Sequence, residues 1–162
     1  MVARLFYQTR TLVELESYPE ERRPRAALIN HWVEPARHTS AADLFRCIDA
    51  MQRLRERTVR LMDGYDFLLM PSTPTAAFPA ELAAPTPHDP FDAWCNTFLF
   101  NLSEQPALSI NCGFTSDALP IGLQIVGRRF DDAGVLRLGK RVAELLPHAT
   151  RPVPPLTWRG RR

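Results

Sequence analysis

The serines are the side chains of this sequence best suited to covalent chemistry, because a serine hydroxyl becomes a nucleophile when a base accepts its proton. Ser72 is the most notable one, since it directly follows a short apolar segment, a position where active sites are often found. No serine stands in a Gly-x-Ser-x-Gly or Ser-x-x-Lys motif, the local signatures of nucleophilic serines. A turn-forming role is therefore the simpler explanation of Ser72.

Partners for such a nucleophile are scarce. Lys140 is the only lysine of the chain, and its position in an amphipathic segment predicts an exposed side chain. Asp131 and Asp132 are adjacent, which suits the cap of a helix better than a catalytic acid pair. The histidines lack the spacing of metal ligands and are interpreted as surface or loop residues: His31, His38, His88 and His148. We therefore predict no catalytic residue, no metal site and no cofactor site in this chain.

Composition excludes several classes of function. The net charge of +2 is too small to indicate a nucleic-acid partner, and the arginine-rich segments 21–25 and 159–162 are interpreted as a solvated loop and a frayed terminus. No apolar run reaches the roughly 18 residues that a membrane span needs, and residues 1–10 do not resemble a signal peptide. The three cysteines are widely spaced, so no disulfide framework or zinc site is indicated, and a cytoplasmic location fits best.

Apolar periodicity predicts four helices, at about 2–16, 40–63, 91–104 and 132–146. Ser40 and Asp43 form a capping-box pattern at the start of the second helix, and Gly64 is expected to end it. The proline-containing stretch 17–38 is predicted to be a loop with a short helical piece.

Three short strands are predicted between these helices, at 66–70, 107–110 and 121–126, with the last two as an antiparallel pair. The proline-rich stretch 71–90 is expected to be an irregular crossing. The fold class is thus α/β. A sheet of three strands is small and would leave faces to be covered by a partner, an oligomer or further chain, so we expect the fold to be incomplete on its own.

Three ordered motifs carry a family resemblance. Residues 66–74 read Asp-Phe-Leu-Leu-Met-Pro-Ser-Thr-Pro, residues 100–110 read Phe-Asn-Leu-Ser-Glu-Gln-Pro-Ala-Leu-Ser-Ile, and residues 119–127 read Leu-Pro-Ile-Gly-Leu-Gln-Ile-Val-Gly. This set resembles the closing part of the amidase-signature family, over about residues 20–146. The resemblance implies a mixed sheet flanked by helices and hydrolysis of a carboxylic amide through a serine acyl-enzyme.

In that family, the nucleophilic serine is activated by a second serine and a lysine that precede the region matched here. The single lysine, and the lack of a Gly/Ser-rich run, lead us to expect a C-terminal fragment without the Ser-Ser-Lys segment, inactive alone. Residues 1–150 would form the C-terminal part of an amidase domain, and residues 151–162 a Pro/Arg-rich tail. The alternative is a non-catalytic module or subunit that pairs with a catalytic partner, such as an amidotransferase A-type subunit.

Three departures from the family pattern stand out. Glu104 and Gln105 replace the common Gly-Leu, and Ala118 stands where glycine usually precedes Leu-Pro, which requires an ordinary φ or a mildly strained turn at Ala118. The A-type subunits of amidotransferases also resemble this region and carry an acidic residue about two helical turns before the motif asparagine. Trp94 occupies that neighbourhood here, which favours a stand-alone amidase with a more apolar pocket.

The resemblance implies that this region supplies one wall of the substrate pocket for a small-molecule amide. The expected wall consists of a strand end and a helix face: Ser72, Thr73, Pro74, Trp94, Phe98 and Asn101. Two alternatives remain open. Asn101 could instead anchor the turn between helix and strand, and Gln124 could satisfy backbone groups between strands. The expected partners are an N-terminal catalytic piece or a second copy of the chain.

Overall fold

The computed structural model describes residues 2–22, 27–82, 84–85 and 90–146; the tail 151–162 lies outside these residues. The helices and strands, in chain order, are α1 (Val2–Glu16), α2 (Ala27–Val33), a 3-10 helix (Glu34–His38), α3 (Ala41–Arg60), β1 (Phe67–Pro71), α4 (Pro90–Ser103), β2 (Ala107–Phe114), β3 (Pro120–Gly127) and α5 (Asp132–Leu145). This is the predicted α/β class. No described helix is both long and apolar enough to cross a membrane.

The three strands form one sheet in the order β1-β3-β2, and both pairings are antiparallel. The predicted pairing of β2 with β3 is confirmed, and β1 lies on the other side of β3. Because side chains alternate across a strand, Ile125 and its partner Leu108 face one side, and Gln124 and its partner Ser109 face the other. The sheet therefore has two distinct faces, and each meets a different helix.

Helix α5 packs on the Ile125 face. Gly139 allows this contact, because a Cβ at that position would lie 2.1 Å from a methyl carbon of Leu108 and 3.9 Å from one of Ile125. The helix begins as predicted, with Asp131 as the N-cap accepting a hydrogen bond from the Gly134 amide at 3.0 Å.

Helices α1 to α3 and the 3-10 helix pack together as a helical layer. Leu12 of α1 packs with Val33 and Ala36 in a small buried cluster, and the buried Gln8 donates to the Trp32 carbonyl at 2.6 Å. Residues 27–38 are helical throughout, so the predicted loop over 17–38 contains more helix than we expected. Local proline content suggested a loop, but Pro35 sits in the first turn of the 3-10 helix, where its missing N–H costs no bond.

Helix α3 begins where the capping pattern predicted. The Ser40 hydroxyl accepts from the Asp43 amide at 3.1 Å and donates to the Asp43 carboxylate at 2.6 Å. These contacts, chiefly the bond from Ser40, and the neighbouring Arg46 hold the pKa of Asp43 below its ordinary value. The helix ends at Arg60, three residues before the predicted end, and Gly64 with φ +82° belongs to the turn that follows.

The two positions at which the amidase-signature resemblance implies glycine both have left-handed backbone here. Glu104 has φ +58° just after α4, and Ala118 has φ +61° between β2 and β3. A non-glycine residue in this region costs about 1–2 kcal/mol. Of the two expectations for Ala118, an ordinary φ or a mildly strained turn, the structure has the strained turn. The Ala118 amide closes this turn by donating to the Thr115 carbonyl at 2.9 Å.

Glu104 offsets part of this cost through its side chain. One carboxylate oxygen accepts from Arg55 of α3 at 2.6 Å and also from Arg129, which precedes α5. Glu104 thus links the end of α4 to α3 and to the start of α5. Its side chain is about half exposed, so each ion pair contributes little alone, and the three-residue network matters more than either pair.

We expect Glu104→Gly to be more stable than Glu104→Gln by about 1 kcal/mol, because both variants lose the carboxylate charge and only glycine relieves the left-handed strain. Urea unfolding of the two variants measures the difference in the free energy of unfolding. Equal stabilities, or a more stable Glu104→Gln, would show that the backbone at residue 104 is not strained.

Candidate functional site

The end of β1 positions the first group of expected site residues. Pro71 pairs with Leu123 of β3, and the Ser72 amide continues the ladder by donating to the Gly122 carbonyl at 2.8 Å. The Ser72 hydroxyl lies 2.5 Å from the hydroxyl oxygen of Ser109 on β2. Ser72 is thus fixed by a backbone bond and a side-chain bond at the point where the irregular crossing begins.

Gly122 allows the two serines to meet above the central strand. A Cβ on Gly122 would lie 2.7 Å from the Ser72 hydroxyl oxygen and 3.0 Å from that of Ser109. Gly122 of the motif at residues 119–127 therefore has a steric function. Its missing side chain leaves room for the hydroxyl pair that connects the end of β1 to β2 across β3. Sequence reasoning did not single out Ser109, although its position opposite Gln124 in an alternating strand pair was a usable signal.

Thr73 and Pro74 line a shallow cavity of 170 Å³ beside this pair. Thr115, Pro120 and Ile121 form the opposite side. The Thr73 hydroxyl donates to the Thr75 carbonyl at 2.8 Å, which stabilises the first turn of the crossing. Among the described residues that line this cavity, none carries a charged side chain, and they present threonine hydroxyls beside proline and isoleucine carbons.

Helix α4 packs against this strand end through two amide side chains. Asn96 donates from its side chain to the Pro71 carbonyl at 3.1 Å, and Gln124 donates to the Asn96 carbonyl at 3.2 Å. Gln124 therefore joins β3 to α4 by satisfying a backbone carbonyl of the helix; a role between strands was one of the alternatives that the sequence left open. Asn96 was not expected from the sequence. Its partner is a carbonyl 25 residues away, which no local pattern reveals.

The expected site residues of α4 do not line the cavity beside Thr73 and Pro74. Phe98 and Asn101 line a cleft of 330 Å³ together with Tyr7 of α1 and Trp32 of α2, and the rings of Tyr7 and Phe98 meet edge to face at 6.1 Å. The structure thus divides the expected wall between two cavities. Trp94 belongs to α4, but its side chain is outside the described part of the structure.

The turn between α4 and β2 is held by Gln105 rather than by Asn101. The buried Gln105 accepts from the Ser103 hydroxyl at 2.7 Å and donates to the Gly127 carbonyl at 3.2 Å. Asn101 is exposed and lines the cleft with Tyr7. These positions favour the pocket-facing interpretation of Asn101 over the anchoring one.

The serine pair lies on the sheet face away from α5. Ser109 alternates with Leu108, the residue that meets Gly139 of α5. Lys140 is exposed on that same helix, so the only lysine is separated from the hydroxyls by the sheet. Within the described residues, no three His, Cys, Asp or Glu side chains are grouped so that they could hold a metal ion. The arrangement can bind neutral polar groups through hydroxyls, and it provides Ser72 with no lysine base.

The fold is that of amidase-signature enzymes. A bacterial aryl acylamidase of that family superposes with a TM-score of 0.66 at 22% identity, over 94% of this chain and 34% of that one. The A-type subunit of glutamyl-tRNA(Gln) amidotransferase from Thermotoga maritima gives a TM-score of 0.63 at 21% identity, over 94% of this chain and 36% of that one.

Sequence comparison gives the same family. Residues 13–136 match the Amidase family, and the chain therefore belongs to it, as the three motifs predicted. The A-type subunit of glutamyl-tRNA(Gln) amidotransferase from Treponema pallidum (strain Nichols) is 34% identical over 116 residues, which are 70% of this chain and 22% of that protein. Its counterpart from Myxococcus xanthus (strain DK1622) is 40% identical over 87 residues, 54% of this chain and 18% of that protein. The chain spans about a fifth of the length of these relatives.

We expect Gly122→Ala to lower the free energy of unfolding by about 1–3 kcal/mol, because the added methyl group overpacks the space between the two serines. Urea unfolding measures this cost. The double variant Gly122→Ala/Ser72→Gly is the control, since it removes the two nearest atoms, and alanine should cost much less against the Ser72→Gly background. An equal cost in both backgrounds would show that the serine contact is not the cause.

Proposed function

We propose that this chain supplies one wall of the substrate cavity of an amidase, an enzyme that hydrolyses a small carboxylic amide, and that the nucleophile and its base come from outside the residues described. The observation that carries the proposal is the serine pair over Gly122, beside the cavity formed by Thr73 and Pro74, in a chain of the Amidase family. Three strands and a helix fix this strand end, which makes it a rigid surface for a ligand.

The chemistry of the cavity suits an uncharged substrate. Binding sites for small molecules combine mostly apolar walls with a few fixed polar groups. Pro74, Pro120 and Ile121 supply carbon surface, and Thr73 and Thr115 supply hydroxyls that are oriented by bonds to the backbone. An amide group accepts and donates hydrogen bonds without charge, so it can meet hydroxyls and carbonyls here without the desolvation cost of an ion.

The residues of this cavity do not complete a hydrolytic site. A serine nucleophile needs a base within hydrogen-bond reach, and the closest side-chain partner of Ser72 is a second hydroxyl. Lys140 lies on the helix that covers the opposite face of the sheet. The Ser-Ser-Lys machinery implied by the family resemblance would therefore have to be brought to this wall by other residues.

A second candidate function is a non-catalytic subunit that pairs with a catalytic partner. The Treponema and Myxococcus relatives are named as A-type subunits of an amidotransferase, and large apolar side chains are exposed, with Phe45 at 73% and Phe130 at 85%. Single exposed apolar side chains are common on protein surfaces, so this candidate rests mainly on the names of these relatives. The partner would be a catalytic piece or a second copy of the chain. A cytoplasmic location is part of the proposal, supported by the free thiols of Cys47 and Cys112.

Binding of a simple amide tests the proposed wall. We expect benzamide or acetanilide, titrated into the ¹⁵N-labelled chain, to shift the amide resonances of residues 72–76 and 115–122. Ile121→Arg should abolish these shifts, because it places a charged chain in the cavity. Leu69→Arg is the matched control, since Leu69 is an exposed sheet residue outside the cavity. Shifts confined to residues around Tyr7 and Phe98 would assign amide binding to the other cleft and contradict the proposal.

Reactivity of the purified chain tests the proposal that the nucleophile and its base come from outside the described residues. Because the described residues place no base beside Ser72, we expect neither hydrolysis of acetanilide nor labelling by a fluorophosphonate probe. Mass spectrometry of the treated chain detects a modified serine, and Ser72→Ala and Ser109→Ala identify its position. Turnover that is blocked by the probe and lost in Ser72→Ala would show that this chain contains its own nucleophile.

A further inference from the structure

The peptide group between Pro71 and Ser72, at the end of β1, is held on both sides. The carbonyl and the N–H of a planar trans peptide point in opposite directions. Here the Ser72 N–H donates toward the sheet, to the Gly122 carbonyl at 2.8 Å. The Pro71 carbonyl accepts from the Asn96 side chain of α4 at 3.1 Å. Because both polar groups are bound, the plane of this peptide group is fixed.

Asn96 is in turn connected to the central strand. The Gln124 side chain donates to the Asn96 backbone carbonyl at 3.2 Å, and Gln124 is buried, with 4% exposure. Gln124 and Gly122 are two residues apart on β3, so they lie on the same face of the sheet. The contacts therefore run from β3 through α4 to the end of β1, and they join segments that are 25 and 28 residues apart in the sequence.

The peptide group at residues 71–72 also joins the amide cavity to the sheet. Pro71, Thr73 and Pro74 line that cavity. A rotation of this peptide plane would change the direction in which the chain leaves the strand, and it would displace Thr73 and Pro74 relative to β3. Asn96 itself is not among the described residues that line the cavity, so its effect on a bound ligand would pass through the Pro71 carbonyl.

We propose that Asn96 is a positioning residue of the amide cavity, holding the Pro71 carbonyl while Gln124 holds α4; this inference rests on the proposed amide-binding function. Pro71 is exposed, so water can replace Asn96 as a donor, and the bond contributes little to stability. Water offers no fixed direction, whereas Asn96 is carried by a helix that β3 holds in place. Loss of the Asn96 donor therefore weakens ligand binding more than it destabilises the fold.

Asn96→Asp tests this proposal, because it keeps the size of the side chain and replaces the N–H donor with a carboxylate oxygen that repels the Pro71 carbonyl. We expect benzamide to bind this variant about tenfold more weakly than the unmodified chain at about pH 7, measured by the shifts of residues 72–76. At about pH 4 the introduced carboxyl group gains an O–H donor, so binding should recover in part. Asn96→Ala, which adds no carboxyl group, should also bind weakly but show no such recovery.

Hydrogen exchange of the Ser72 amide gives a second readout that needs no ligand. In Asn96→Asp this amide should exchange about tenfold faster, because the peptide plane is no longer held. The Gly127 amide, which donates to the Pro106 carbonyl at 3.0 Å, should exchange as in the unmodified chain. Asn30→Asp is the matched control, since it makes the same change on α2, at a residue that does not line the cavity. It should alter neither the benzamide affinity nor the Ser72 exchange rate.

Circular dichroism establishes that each variant is folded under the conditions of the titration. A purely structural role of Asn96 would lower the Tm and leave the benzamide affinity of the folded chain unchanged, which would overturn the proposal. Equal weakening by Asn30→Asp, or no recovery of Asn96→Asp at low pH, would overturn it too. If benzamide shifts no resonance of the unmodified chain, the amide-binding function fails, and the Ser72 exchange rate still decides whether Asn96 fixes the strand end.

Discussion

The close approach of Ser72 and Ser109 above Gly122, on the central strand β3, is the constraint on which the rest of this structure depends. Strand β3 pairs with both of the other strands, and it contributes the buried residues Ile125 and Val126. A shift of its register by one residue would exchange the two faces, which would place Gln124 against α5 and Ile125 beside the serine pair. The position of Gly122 is thus tied to the burial pattern of the whole strand.

The two faces of β3 contact their helices through different kinds of interaction. Against α5 the contact is apolar and depends on the small Gly139, which lets Leu108 reach the helix surface. Against α4 the contact is polar and runs from Gln124 to Asn96 and from Asn96 to Pro71. Hydrogen bonds are directional, so the polar contact sets the helix at a defined position relative to the strand end. That difference gives the strand end beside α4 the more precisely positioned side chains.

Local signals in the sequence were sufficient for most of the fold. Side-chain caps at Ser40 and Asp131 set the starts of α3 and α5, and apolar alternation with turn residues gave the pairing of β2 and β3. The helical content of 27–38 was underestimated because its stability comes from Val33 and Ala36 packing on α1. Such a contact joins residues that are distant in sequence, so it produces no local apolar periodicity from which a helix could be predicted.

The expected site was harder to predict for the same physical reason. Ser72, Thr73 and Pro74 follow one another in the chain, so they share a strand end in any fold. The cavity that Phe98 and Asn101 line depends on which elements pack against α4. In this structure those elements are α1 and α2. A helix contacts different neighbours on different faces, and α4 directs Asn96 toward the sheet and Phe98 toward Tyr7. Motif order therefore identified the family, while the grouping of side chains into cavities required the three-dimensional structure.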